Sequence, residues 1–561
     1  METTQKGMLK RFLDMVEGVG NRLPHPTIMF MGLILILLGL TAVCAALGIV
    51  VETPGGRFPI NNLLGQGRVQ IQDPRTGEVI AGFANGWHYL AETLTPNFVN
   101  FAPFGMVMVI MIAIGVSEHS GLIVAAVRKM VLGAPQKMIT PVIVLAGVLS
   151  SIASDAGYLV LVPLGAVVFY GIGRHPLAGL AAAFAGVSGG FSANIAITSL
   201  EPLLGGFTLA AAKTGDAMVG TNFAETMNIA TMNYYFLLAS TLLIVIVSTL
   251  VVEKIVVPHL GKFEPEPDLD IDDHPDDLTP DENLGLKWAG ITLVAYTGIL
   301  ALTLIPTDSS LPLVGSLSTN TLSPEQFKLI QDRFGSVGIT HAPFFSTHSI
   351  VTALFFMFFL PGLAYGVVVK KLRTGADLVK TMEDSMRGMA SFIVLVFFMA
   401  QFVAYFNASN FGILLAMKGA QLLELVPHQS LIGAISLVVG FVLLSSFINL
   451  FMGSASAKWA ILAPIFVPVM MTVHMTPAAT QMLYRIGDSC TNIITPLMTY
   501  FAFVIVIGRK YQKDFGIGSL VSLMLPFSIA FLMAWTILFL VWGMLGLPLG
   551  PNAEIFFDPP A

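Results

Sequence analysis

The chain has 561 residues, of which 55% are hydrophobic and 11% are charged, and its formal net charge is −6. A soluble domain carries about 25% charged residues, and the apolar residues here come in blocks of about 20, the length that crosses a bilayer. The composition therefore excludes a soluble globular protein and predicts an all-α polytopic membrane protein. Cys44 and Cys490 lie in apolar segments and give neither a disulfide framework nor a metal motif.

Nine membrane spans are predicted from runs of apolar residues of about bilayer length. In chain order they cover residues 27–51, 102–116, 176–200, 232–252, 286–304, 348–369, 389–406, 478–506 and 520–545. Basic residues are concentrated on one side of this arrangement, which by the positive-inside rule places the N-terminus in the cytoplasm and the C-terminus in the periplasm. Residues 1–26 are predicted to form a cytoplasmic amphipathic segment without a cleavable signal.

Two further apolar segments are interrupted by polar residues near their centres. Residues 139–170 are split by SSIASDAG at 150–157, and residues 431–473 are split by GSASAKW at 453–459. Unsatisfied backbone groups cost several kcal/mol each in lipid, so such segments persist only inside protein or against a watery cavity. We predict that each forms a re-entrant hairpin, the first entering from the cytoplasm and the second from the opposite side.

The two interrupted regions repeat one pattern. Tyr158 is followed five residues later by a proline, as is Trp459, and SAN at 192–194 matches CTN at 490–492. Each region consists of a hairpin followed by a span that is broken at a motif ending in Asn. Opposite membrane entry makes the two regions inverted repeats, an architecture that places a substrate and its coupling ions near the bilayer midplane.

These boundaries divide the chain into six regions. They are the N-terminal segment 1–26, the first two spans with an external loop (27–138), the first repeat (139–202), spans four to six (203–388), the second repeat with the seventh span (389–506), and the last span with the external C-terminus (507–561). Residues 264–282 contain ten Asp or Glu and no Lys or Arg. We interpret this run as a solvated cytoplasmic connector.

Arg485 and Asp488 are the leading candidate site residues. They are three positions apart inside a predicted span and share one face if the local chain is helical. Intramembrane charges usually pair, so an ion pair with a purely structural role is the alternative. A guanidinium grips a planar carboxylate through two parallel hydrogen bonds. We predict that Arg485 anchors a substrate anion and Asp488 couples a cation, while Lys458 is an interface charge.

Other candidates stand at the hairpin tips and helix breaks. At the helix breaks near Asn194 and Asn492, backbone carbonyls without helical partners and side-chain oxygens predict a Na⁺ site. The alternative is that the Asn side chains satisfy the backbone groups at the breaks without any ion. Asp155 at the first tip is predicted to serve in ion coupling or to cap the hairpin. Glu201 is predicted to carry a proton or to lie at an interface, and Trp459 to stack on an aromatic substrate or to pack the hairpin.

Several motifs carry a family resemblance. They are LPHPT at 23–27, SDAGY at 154–158, FSANI at 191–195, AQFVAYFNASN at 400–410, SASAKWA at 454–460 and YRIGDSCTNIITPLMTYF at 484–501. The sequence resembles the AbgT family, the p-aminobenzoyl-glutamate transporter family of secondary transporters, over nearly its whole length. The resemblance implies a homodimer of nine-span, two-hairpin protomers in a bacterial inner membrane, related in fold to sodium–dicarboxylate symporters.

The resemblance also implies which residues form the site. The matching positions are Ser456, Trp459, Arg485, Asp488 and Pro496, with Asn407 on the preceding span. Glu201 takes the place of an acid that is often Asp in the family.

The predicted function is cation-coupled secondary transport of an anionic aromatic amide such as p-aminobenzoyl-glutamate. The coupling ion is Na⁺ or H⁺, no other cofactor is expected, and the partners are the small anionic substrate and membrane lipid rather than nucleic acid. One alternative is an efflux pump for sulfonamide-type antimetabolites, since the same residues serve either direction. A remote alternative is an intramembrane hydrolase that uses Ser456 or Asp488, although no nucleophile–base–orienter set and no HExxH motif is visible.

Overall fold

A computed structural model describes residues 24–53, 56–72, 79–153, 157–264, 277–305, 325, 347–423 and 431–558. The described chain is mostly helical. Its helices are α1 (Pro26–Ala46), α2 (Gly86–Val99), α3 (Ala102–Ser120), α4 (Leu122–Leu132), α5 (Ile139–Ser150), α6 (Val162–Gly171), α7 (Pro176–Phe184), α8 (Leu200–Val219), α9 (Phe223–Thr226), α10 (Tyr234–Val251), α11 (Val257–Leu260), α12 (Pro280–Leu304), α13 (Thr347–Val368), α14 (Gly375–Gly388), α15 (Ala390–Ala408), α16 (Phe411–Leu423), α17 (Leu431–Asn449), α18 (Ala455–Thr472), α19 (Pro477–Asn492), α20 (Phe501–Arg509) and α21 (Ile517–Met544).

Two small antiparallel sheets follow α1. Strand β1 (Val50–Thr53) pairs with β2 (Gly56–Pro59), and β3 (Val69–Gln72) pairs with β4 (Val79–Phe83). The region predicted as a polar loop also contains α2, which Asn85 caps by accepting a hydrogen bond from the His88 amide at 2.9 Å. The second membrane-length segment is therefore Gly86–Ser120, with 35 residues, rather than the predicted 102–116.

Nine helical segments of the described chain are long and apolar enough to cross a membrane, which confirms the prediction of an all-α polytopic membrane protein. Their membership differs from the prediction. The predicted spans 176–200 and 478–506 are represented by shorter helices, α7 and then α19 with α20. The arms of the second predicted hairpin, α17 and α18, are instead each long enough to cross on length and composition.

The first predicted hairpin has short arms. Helix α5 has 12 residues and α6 has 10, so α5 rises about 18 Å at 1.5 Å per residue, which is less than a bilayer core of about 30 Å. A 3₁₀ turn at Ser151–Ala153 and a π turn at Gly157–Leu161 flank the tip. Re-entry from opposite sides and the inverted relation of the two regions stay predictions.

Close helix contacts in this region depend on glycine. A Cβ placed at Gly186 would lie 2.5 Å from the carbonyl oxygen of Val144 on α5. Small residues let helix backbones approach in this way where lipid supplies no hydrophobic force between helices. A Cβ placed at Gly179 of α7 would clash with the carbonyl oxygen of Gly165 on α6. Helix α7 is buried along its whole length, from Pro176 to Phe184.

Candidate functional site

Helix α19 is buried throughout although it is rich in polar side chains. All 16 residues from Pro477 to Asn492 are buried, and Thr476 caps the first turn by accepting from the Ala479 amide. Its approach to α17 is close, since a Cβ at Gly487 would lie 2.5 Å from the carbonyl oxygen of Val442. Buried charges are strongly destabilising unless they are paired. The partners of the α19 side chains therefore define the candidate site.

Arg485 pairs with Glu201 rather than with Asp488. Its Nη2 donates to Glu201 Oε1 at 2.9 Å, and the two side chains are 2% and 5% exposed. Glu201 lies in the first turn of α8, and its second oxygen, Oε2, accepts from the backbone N and the hydroxyl of Thr198 at 2.6 and 2.7 Å. The Arg485 Nε is buried and has no hydrogen-bond partner among the residues that the structure describes. This ion pair joins the first turn of α8 to α19.

Asp488 pairs with Lys458 of α18. The Lys458 ammonium contacts Asp488 Oδ1 and Asn449 Oδ1, and the two charged side chains are 0% and 2% exposed. Asn492 Nδ2 donates to Asp488 Oδ2 at 3.3 Å, and Asn449 Nδ2 donates to Asn492 Oδ1 at 2.9 Å. We call these four side chains the polar cluster. The prediction that Lys458 is an interface charge is wrong, because Lys458 is buried against Asp488. The alternative of a structural Arg485–Asp488 pair is also wrong, because Arg485 pairs with Glu201.

The two asparagines of the predicted Na⁺ site are in different surroundings. Asn194 Oδ1 accepts from the amides of Ile195 and Ala196 at 2.9 and 3.2 Å, and its Nδ2 donates to Ser151 Oγ at 2.8 Å. This geometry favours the alternative in which Asn194 satisfies the break by itself. Asn492 belongs to the polar cluster, where the Lys458 ammonium is the cation. A Na⁺ site near either residue stays a prediction.

Trp459 is held by protein on both its ring face and its nitrogen. The ring stacks on Tyr484 with centroids 4.6 Å apart and planes at 20°, and Nε1 donates to Thr208 Oγ1 at 2.9 Å. Gln481 Nε2 donates to the same hydroxyl at 3.0 Å. These contacts join α8, α18 and α19 and favour the packing interpretation of Trp459 over stacking on a substrate.

A cavity of about 280 Å³ is lined by residues of both interrupted regions, and we call it the central cavity. Its wall includes Tyr158 and Tyr500, whose rings stack at 4.7 Å with planes 9° apart. Asn492 of the polar cluster and Thr198, which binds Glu201, also line it, so the cavity is next to both ion pairs. The full lining is Ser151, Tyr158, Phe191, Thr198, Ser199, Leu200, Leu203, Gly453, Ala455, Asn492, Met498, Thr499 and Tyr500.

The remaining sequence candidates are distributed around and beyond this cavity. Ser456 is half-buried in the first turn of α18, with its Oγ 3.5 Å from Ser454 Oγ. Pro496 lies half-buried in the turn between α19 and α20, whose later residues line the central cavity. Asn407 instead lines a second cavity and accepts from Thr214 Oγ1 at 3.1 Å. Asp155 lies outside the described residues.

Sequence reasoning missed Lys458 and Asn449 as members of the cluster. The available signal was an isolated cation inside an apolar segment, in SASAKWA. Such a charge requires a buried anion close by. Asp488 was the nearest acid in the same repeat, 30 positions away.

The nine membrane-length segments and the buried ion pairs next to a cavity define a multi-pass membrane protein of the transporter class. The chain belongs to the AbgT putative transporter family, whose sequence model matches residues 11–557. The p-aminobenzoyl-glutamate transport protein of Escherichia coli (strain K12) is 33% identical over 540 residues, which are 96% of this chain and 95% of that protein. The family resemblance seen in the sequence is therefore confirmed.

Two solved structures share the fold. The YdaH transporter of Alcanivorax borkumensis, described as having an unusual topology, is 37% identical with a TM-score of 0.79, over 94% of this chain and 100% of that one. MtrF of Neisseria gonorrhoeae, described as illuminating a class of antimetabolite efflux pumps, is 39% identical with a TM-score of 0.79, over 97% of this chain and 100% of that one.

Proposed function

We propose that this protein is a secondary active transporter of p-aminobenzoyl-glutamate or a similar anionic aromatic amide, coupled to a cation. The observation that carries the proposal is the half-used guanidinium of Arg485. Glu201 accepts one N–H, at Nη2, and the buried Nε has no partner within the described part of the chain. A carboxylate that accepts from Nε and Nη2 together makes the bidentate contact that Glu201 does not make.

In this proposal Glu201 occupies, in the absence of substrate, the position on Arg485 that the substrate carboxylate takes. A substrate anion that enters the central cavity replaces Glu201 on Arg485 and gains the second hydrogen bond. Glu201 keeps its two hydrogen bonds from Thr198 during the exchange. Arg485 therefore has an anionic partner throughout, whereas the displaced Glu201 loses its cation and keeps only these hydrogen bonds. The exchange thus costs less than the loss of about 3–5 kcal/mol that accompanies a buried pair broken without a replacement.

The coupling cation, Na⁺ or H⁺, is proposed to act at Asp488 in the polar cluster. A cation that binds to Asp488 competes with the Lys458 ammonium for Oδ1. Asn492, which contacts the other carboxylate oxygen, is the proposed neighbour in ion coupling. Asp155 and Asn194 are further proposed ion-coupling residues at the first repeat.

Antimetabolite export is the second candidate function, because MtrF is 39% identical to this chain and is described as illuminating a class of such efflux pumps. The stacked rings of Tyr158 and Tyr500 offer an aromatic drug a wall in the central cavity. A sulfonamide has no carboxylate for Arg485, however, so the unused Nε favours p-aminobenzoyl-glutamate. The hydrolase alternative loses support, since Asp488 is held by Lys458 and the relatives are named as transporters.

We further propose that the protein works as a homodimer in the bacterial inner membrane, with its N-terminus in the cytoplasm. Helix α12 supports an intermolecular or lipid contact, since only 11% of its membrane-length window is buried. Trp288 and Val294 are among its exposed apolar side chains.

The test is transport of labelled p-aminobenzoyl-glutamate in proteoliposomes under imposed Na⁺ or proton gradients, with a labelled sulfonamide measured in parallel. Wild-type protein should move the glutamate conjugate when one of the two gradients is applied. Arg485→Lys keeps the charge but loses the planar fork, so it should reduce transport by about tenfold or more, the loss expected for one charge-assisted hydrogen bond. Absence of movement in both directions under both gradients would overturn the substrate assignment.

A further inference from the structure

A second cavity, of about 260 Å³, is lined by residues distinct from those of the central cavity, and we call it the outer cavity. It is enclosed by the small sheets, α2, the second half of α8, the end of α15 and the start of α16. Its lining is Phe58, Ile71, Tyr89, Lys213, Thr214, Ala404, Phe406, Asn407, Ala408, Asn410, Gly412 and Ile413. Lys213 follows Glu201 by 12 residues on α8, which is about 18 Å along the helix axis.

The walls of the outer cavity are aromatic and rigidly held. Phe58, Tyr89 and Phe406 are each at most 3% exposed. The sheets are fixed to α15 and α16 by two amides. Asn61 Nδ2 donates to the Ala408 carbonyl at 2.7 Å, and Asn410 Nδ2 donates to the Pro59 carbonyl at 2.9 Å. A preformed aromatic pocket of this kind suits a flat aromatic group.

The polar groups of the outer cavity point to an anion. Asn407 is oriented by Thr214 and donates from Nδ2 to the Ala210 carbonyl at only 3.4 Å, so one amide hydrogen is available to a ligand. Lys213 is exposed at the cavity, and among the described residues no carboxylate lies within ion-pair distance of it. Aromatic walls with an unpaired ammonium and a free amide N–H suit an aromatic carboxylate.

We propose that the outer cavity is a second binding site for the anionic aromatic substrate, where Lys213 receives a carboxylate before the substrate reaches Arg485. The inference rests on the proposed function, because it takes its ligand class from that transport reaction. The sequence prediction places the small sheets and the end of α15 on the external side, so this site receives substrate from that side. Asn407, which the family resemblance implies as a site residue, then belongs to this second site.

The first experiment compares Lys213→Gln with a matched control, Lys418→Gln. Lys418 is an exposed lysine of α16 that contacts Gln421 at 3.2 Å and does not line the outer cavity. Transport kinetics are measured in right-side-out and inside-out membrane vesicles. Lys213→Gln should raise KM by about fivefold for substrate supplied at the outer cavity, the upper range for an exposed ionic contact. The KM for substrate supplied from the opposite side should change less, and Lys418→Gln should leave both KM values as in the wild type. Equal KM values for Lys213→Gln and wild type in both orientations would refute the site.

A binding experiment separates this inference from the proposed function. Arg485→Lys weakens the central site and leaves the outer cavity intact, so purified Arg485→Lys protein should still bind labelled p-aminobenzoyl-glutamate in a scintillation proximity assay. Adding Lys213→Gln should weaken that binding by about fivefold, whereas adding Lys418→Gln should leave it unchanged. Lys213-dependent binding supports the outer site even if the wild type fails to transport. Binding that does not depend on Lys213 overturns the outer site even if transport is observed.

Discussion

The pairing of Arg485 with Glu201 can be tested by neutralising the two charges singly and together. Arg485→Met leaves the Glu201 carboxylate buried without its cation, and Glu201→Gln leaves the guanidinium without its anion. Both side chains are at most 5% exposed, so solvent compensates little for the lost partner. Removing one member of such a pair costs about 3–5 kcal/mol of unfolding free energy.

The double variant should be more stable than the sum of the single losses predicts. Neutral side chains of similar size leave no buried charge, and replacing a buried pair in this way is often close to neutral in free energy. We expect a coupling energy of at least about 3 kcal/mol, the upper end for residues in direct contact, and about 6 kcal/mol or more if the double variant is as stable as the wild type. Transport should stay lost in the double variant, because the proposed carboxylate anchor is missing.

The assay is unfolding of the purified protein in mixed micelles as the SDS fraction increases, followed by tryptophan fluorescence. The matched control is the cycle of Arg485→Met with Glu253→Gln, because Glu253 pairs with Arg174 and shares no ion-pair partner with Arg485. That cycle should be additive within about 0.5 kcal/mol. A larger coupling in the control cycle than in the Arg485–Glu201 cycle would refute the pairing described here.

Two other substitutions test the surroundings of the central cavity. Trp459→Phe keeps the stacking face but loses the hydrogen bond to Thr208. The free energy of unfolding should fall by about 1 kcal/mol, and the KM for transport should be unchanged. A raised KM at unchanged stability would favour stacking of Trp459 on the substrate instead. In Gly453→Ala the new Cβ would lie 2.5 Å from the Leu497 carbonyl oxygen, which should shift the cavity wall and weaken substrate binding in the same scintillation assay. Gly440→Ala, with open space around the new Cβ, should bind as wild type does, and equal binding by all three proteins would contradict the expected shift.

The sequence predicts the class and most elements of this fold because bilayer-length apolar runs are strong signals. The differences arise where polar and apolar patterns mix. The segment GWHYLAETLTPNFV reads as part of a polar loop, yet it forms α2 because Asn85 caps it and α3 continues it. The arms of the second hairpin contain enough apolar residues to reach membrane length on either side of the break at Gly453.

The candidate site is less predictable because its contacts join distant parts of the chain. Spacing along α19 indicates that Arg485 and Asp488 are intramembrane charges, but it gives no information on their partners. Glu201 is 284 positions from Arg485 in the sequence. Only tertiary packing of α8 against α19 assigns the two carboxylates to two different cations.

The two buried ion pairs also bear on how transport responds to voltage. Arg485 with Glu201 and Lys458 with Asp488 sum to zero formal charge. An elementary charge that crosses the membrane changes its energy by about 2.3 kcal/mol per 100 mV, whereas a neutral set of side chains changes by nearly nothing. If these four residues move as a unit, the return of the empty carrier is electrically silent. The measured transport current then reports only the charges of the substrate and the coupling ion.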